Sequence, residues 1–129
     1  MRLELTRKTD LALRAIRALH EECGRLPGRS LAQKIETTTP FVAHVVTPLV
    51  NAGWLDSRPG PTGGYALTVD PHSITILDVV EAIEGPIDSG QCVMVGGPCG
   101  FDVCSMHEAW DGALKALRKS FADLPIIDA

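Results

Sequence analysis

Three cysteines crowd a short glycine-rich stretch: Cys92, Cys99 and Cys104, spaced C-x6-C-x4-C, with His107 three residues beyond. Soft thiolates gathered this closely suit zinc or an iron–sulfur cluster. Glycine helps, because a backbone wrapped around a cluster needs unusual dihedrals and N–H groups aimed at sulfur. The spacing is wider than the C-x2-C of common zinc sites. Redox-active thiols without metal, and inert cysteines, are the other readings of the same residues. A structural disulfide is the weaker one in a reducing compartment. His107 either completes a four-ligand set or caps the last helix and faces solvent. Cys23, far away in sequence, reads as a small buried residue.

The elements that must position these groups come next. Thr9 to Glu22 has a helical period, with Leu11, Ala12, Ala15, Ile16, Ala18 and Leu19 on one face. Ser30 is a candidate N-cap for a short second helix from Leu31 to Ile35. A third helix is expected from Pro40 to about Ala52, kinked or split at Pro48. Trp54–Ser57, a turn through Arg58-Pro59-Gly60-Pro61-Thr62-Gly63-Gly64 and Tyr65–Val69 read as a hairpin. Trp54, Tyr65 and Leu67 should anchor it. Helix, short helix, turn, helix, hairpin is the order of a winged helix-turn-helix. A fourth helix should run from Ile74 to Glu84, capped by Thr75 or Ser73. The last, Met106 to Ala122, carries an apolar stripe that includes Trp110, Leu114, Leu117 and Phe121. Part of this stripe would pack on the first helix; the rest is a candidate dimer seam. The expected fold is mainly α, with residues 1–70 forming the DNA-binding unit. Residues 71–129 form the cysteine-loop and dimerisation region.

The 129 residues are 45% hydrophobic and 22% charged, with a net charge of −4. No apolar run is long enough to span a membrane, and nothing near Met1 reads as a secretory signal, so the expectation is a cytoplasmic protein. Charge is uneven. Residues 1–70 hold nine basic groups against seven acids, whereas residues 71–129 hold three against nine. A phosphate-facing surface therefore belongs to the first half. Arg2, Arg7, Lys8, Arg29, Lys34 and Arg58 are its candidates. The third helix offers Thr38, Thr39, Pro40 and His44 to bases, with Val42 and Ala43 able to meet thymine methyls. Arg58, beside Pro59-Gly60, and Gly63 of the same turn are further DNA-contact candidates, the Arg58 guanidinium being placed to reach a narrow groove. No phosphate-binding loop is present, because the glycine turn lacks the Lys and Ser/Thr such a loop requires. An enzyme with a small organic substrate is not expected.

Several segments together resemble the bacterial cluster-sensing winged-helix regulators typified by IscR and NsrR. They are Arg2-Leu3, Thr9-Asp10-Leu11-Ala12-Leu13-Arg14-Ala15, Leu31-Ala32, Leu49–Gly53, the turn Arg58–Tyr65, and the three cysteines before an amphipathic last helix. The resemblance implies a homodimer, joined through its C-terminal helix, that binds a near-palindromic double-stranded DNA operator. It makes Cys92, Cys99 and Cys104 ligands of an iron–sulfur cluster that reports redox state, nitric oxide or iron status. For the fourth ligand it offers two solutions: Asp10 of the partner subunit on a 4Fe–4S cluster, or His107 on a 2Fe–2S cluster. The Thr-Asp-Leu-Ala-Leu-Arg segment is closer to NsrR and favours Asp10. The cysteine spacing departs from the even five-and-five of the family. Two alternatives use the same thiols: a cluster-free regulator oxidised directly at Cys92, Cys99 and Cys104, and a small electron-transfer or cluster-carrier protein, which would have no use for Arg58.

Overall fold

The computed structural model describes residues 2–87 and 106–128. Eight elements follow in order: α1 (Arg7–Glu22), α2 (Gly28–Lys34), α3 (Thr39–Asn51), β1 (Leu55–Arg58), β2 (Gly64–Leu67), a 3-10 turn (Pro71–Ser73), α4 (Ile76–Glu84) and α5 (His107–Ala122). The winged helix-turn-helix order is as expected, and the fold is mainly α.

Local chemistry explains the ends of these elements. The Thr6 hydroxyl caps α1 by accepting from the Thr9 N–H. Cys23 closes the same helix in the left-handed region, at φ 52°. It is exposed, which corrects the expectation of a buried cysteine. Ser30 is no N-cap: α2 begins earlier, at Gly28, behind Pro27, and uses no side-chain cap. Proline there supplies a fixed φ, so the first turn forms without one. Thr75, not Ser73, caps α4, in a reciprocal box with Asp78. α3 runs unbroken through Pro48 rather than splitting. The carbonyl that loses its donor belongs to His44, an exposed residue that water can reach.

The wing is a two-stranded antiparallel sheet in the register Leu55↔Leu67, Asp56↔Ala66, Ser57↔Tyr65, Arg58↔Gly64. The linker between α1 and α2 adds to it, because Leu26 exchanges both backbone hydrogen bonds with Tyr65, at 2.9 and 2.8 Å. Gly64 permits that approach. It sits at φ +128°, and a Cβ there would lie 2.1 Å from the Leu26 carbonyl oxygen.

The core is built from α1 (Leu11, Ile16, Leu19), α2 (Leu31), α3 (Val42, Val45, Val46, Leu49), β1 (Leu55) and α4 (Val79, Val80). Trp54, Tyr65 and Leu67 pack against it, as expected of wing anchors. One core member comes from the tail. Ile126 is fully buried, and its N–H donates to the Ile74 carbonyl at 2.8 Å, while the Ile76 N–H donates to Leu124 at 2.9 Å. α5 lies along α4 and buries no residue of its own in the single chain. Its principal neighbour is thus α4 and not α1. Met106 and Leu117 remain exposed.

Candidate nucleic-acid interface and cluster ligands

α3 sorts its residues by face. Val42, Val45, Val46 and Leu49 are buried, and Thr39, Pro40, Ala43, His44 and Thr47 face solvent. Val42 therefore cannot meet a thymine methyl; Ala43 keeps that role within reach. The reason is the helical period, which carries Val42 to the core side with Val45 and Val46. Thr38 sits at the N-cap and accepts from the Phe41 N–H at 3.3 Å, so it holds the first turn of the exposed helix in shape. The His44 ring meets Phe41 edge-on, 5.8 Å between centroids. Thr47, which sequence reasoning missed, lies on the same face and donates to the Ala43 carbonyl at 2.7 Å. A hydroxyl one turn beyond Ala43 is the signal that could have found it.

The wing carries Arg58 at the end of β1, with 69% of its side chain exposed. Gly63 is buried in the turn: a Cβ there would lie 2.0 Å from the Arg58 carbonyl oxygen, and its own N–H already serves Gly60 at 3.0 Å. Its part is to shape the wing that displays Arg58. Arg25 is the larger surprise. It donates to the Gly64 carbonyl at 2.9 Å and to Asp56 Oδ2 at 2.6 Å, tying the α1–α2 linker to both strands. The Arg25 hydrogen bond holds the Asp56 carboxyl below its ordinary range, with the Arg25 and Arg58 charges adding to the effect.

The other basic candidates are exposed or half-exposed, and most have acidic neighbours. Arg2 pairs with Glu4 at 3.5 Å and Arg7 with Asp10 at 3.8 Å. Lys34 pairs with Glu22 across the α1–α2 junction; that hydrogen bond raises its pKa above the ordinary lysine value. Lys8 is half-buried on α1, and Arg29 is exposed on α2.

Of the proposed cluster ligands, Cys92, Cys99 and Cys104 lie outside the described residues. Asp10 stands in the first turn of α1 with its side chain partly exposed, held by Arg14 at 3.2 Å and by Arg7. A carboxylate is also favoured there by the helix dipole. His107 is the first residue of α5 and is exposed. Among the described residues no three His, Cys, Asp or Glu side chains are grouped to hold a metal ion, so neither Asp10 nor His107 makes a site without the cysteines. The start of α1 is also bonded to the end of α4. Glu84 Oε2 accepts from the Thr6 N–H at 3.1 Å, from the Thr6 hydroxyl at 3.3 Å and from the hydroxyl of Thr9.

Comparisons with known proteins match this geometry. A family model described as "Rrf2: Iron-dependent Transcriptional regulator" covers residues 5–128. The chain is 30% identical over 110 residues to the HTH-type transcriptional regulator IscR of Escherichia coli O1:K1 / APEC, spanning 84% of this chain and 68% of that protein. It is similar in structure to CymR (YrzC), the global cysteine regulator of B. subtilis. The TM-score is 0.78, the identity 26%, and the alignment covers 98% of this chain and 95% of that one. T. potens IscR shares the fold with a TM-score of 0.74 at 21% identity, over 98% and 85% of the two chains.

Proposed function

Because the chain belongs to the Rrf2 family of transcriptional regulators, we propose that it acts as a cytoplasmic homodimer whose operator binding is switched by an iron–sulfur cluster. It is a winged-helix DNA-binding regulator and not an enzyme. The observation that carries the proposed switch is the occurrence of three thiols directly before α5 in a chain whose family model is described as iron-dependent.

In this reading Cys92, Cys99 and Cys104 hold the cluster, and Asp10 of the partner subunit supplies the fourth ligand of a 4Fe–4S form. His107 takes that place in a 2Fe–2S form. The donor set fits: thiolates are the usual cluster ligands, and Asp10 is accessible at the start of α1. Bound there, the cluster supplies an iron that is open to nitric oxide, oxidants or loss. Residues 71–129 form the cluster-binding and dimerisation region, with the exposed apolar residues of α5 as the seam. Residues 1–70 read DNA. Ala43, His44, Thr39 and Pro40 meet bases in the major groove, and Thr38 fixes the helix that carries them. Arg58 enters the minor groove or grips the backbone, while Arg2, Arg7, Lys8 and Lys34 neutralise phosphates. Lys34 must exchange Glu22 for phosphate to do so.

Iron and acid-labile sulfide, measured in anaerobically purified protein and in Asp10→Ala and His107→Ala variants, test the ligand assignment. The expected result is iron and sulfide in the wild type, loss in Asp10→Ala and retention in His107→Ala. Loss in His107→Ala alone would move the fourth ligand to the histidine. Wild-type protein without iron or sulfide, and refractory to reconstitution, would point to direct oxidation of the thiols.

A further inference from the structure

Asp56 stands between two guanidinium groups. Its Oδ2 accepts from Arg25 Nη2 at 2.6 Å and lies 3.4 Å from Arg58 Nε. The two arginines differ in freedom. Arg25 leaves 19% of its side chain exposed and is tied to the Gly64 carbonyl as well. Arg58 is the more exposed of the two and has open solvent into which to move. Residues 56 and 58 are two apart on β1, so their side chains share a face of the hairpin. Arg25 reaches the same carboxylate from the linker between α1 and α2.

A guanidinium resting on a carboxylate must leave it before it can bind a phosphate or enter a groove. A carboxylate already engaged by a closer guanidinium holds a second one less strongly. We propose that Asp56 restrains Arg58 from DNA, and that Arg25 is the positioning residue that sets how strongly this restraint acts. The proposal rests on the reading of Arg58 as a DNA contact. It gives this wing a tunable arginine: the acid lowers affinity, and the half-buried Arg25 partly relieves it.

The test is binding of a fluorescent duplex, selected from a random pool by the wild-type protein, followed by anisotropy across a salt series. Asp56→Asn keeps an acceptor for Arg25 and removes the charge that holds Arg58. It is expected to tighten binding about two- to fivefold, the strength of an exposed ion pair. If the released Arg58 neutralises one more phosphate, the slope of log affinity against log salt steepens by about 0.9. Arg25→Gln should weaken binding by a similar factor, and Asp56→Asn added to it should restore binding. All of these effects should vanish in an Arg58→Ala background. Equal gains from Asp56→Asn with and without Arg58 would overturn the proposal, since they would mark a general charge effect. Failure of Asp56→Asn to rescue Arg25→Gln would overturn it too, leaving Arg25 as a wing anchor only. An Arg58→Ala variant that binds as tightly as the wild type would instead strike the reading of Arg58 as a contact, and the restraint would fall with it.

Discussion

Thr9 is the one buried polar side chain among the described residues, and its hydroxyl is directed at the Glu84 carboxylate. That carboxylate also takes the N–H and hydroxyl of the α1 cap, Thr6. Thr9→Val keeps the shape and removes the donor, so the expected loss is about 1–2 kcal/mol, the net worth of a half-buried hydrogen bond to a carboxylate. Thermal unfolding checks this; an unchanged melting temperature would contradict it. The sequence shows Thr9 only as the start of a helical period, because its partner lies 75 positions away. Arg25 is illegible for the same reason. A lone arginine among glycine and proline reads as surface charge until the fold brings Asp56 and Gly64 to it. Residues whose partners are local were easier to place. Thr75 caps within three positions, and the helical period alone assigns Leu11, Ile16 and Leu19 to the core.

At the scale of elements, the order of helices and hairpin was readable because each has its own period or turn chemistry. The tail was not. Pro125-Ile126-Ile127 is too short to show a period, yet it forms a bridge beside Thr75 and places Ile126 in the core. α4 and the chain end are therefore packed into the same core as the helix-turn-helix. Ile126→Ala is expected to cost about 2–5 kcal/mol, the range for truncating a large buried aliphatic side chain. Chemical denaturation of the full chain measures it, and a loss below 1 kcal/mol, about that of a surface change, would show the tail to be peripheral. Pro48 teaches the converse. A residue that disfavours helix in isolation is carried by one whose inner face, Val42, Val45, Val46 and Leu49, is wholly buried.

For the whole molecule, charge and apolar surface point in different directions. The net charge of −4 would repel DNA if it were spread evenly, but the basic excess lies in the half that holds α3 and the wing. The acidic half holds α5, which presents exposed apolar residues and lies against α4. α4 in turn ends at Glu84, bonded to the cap of α1, where Asp10, Arg7 and Lys8 stand. Under the proposed switch, a signal arising at the cysteines would reach α4 along the chain and α1 through the Glu84 hydrogen bonds. The most direct test of the switch is the affinity for one selected duplex, measured anaerobically for cluster-loaded and cluster-free wild type and for a variant with Cys92, Cys99 and Cys104 all replaced by serine. Two wild-type affinities separated by about tenfold or more are expected, with the serine variant fixed at the cluster-free value. Equal affinities for loaded and cluster-free protein would contradict the account.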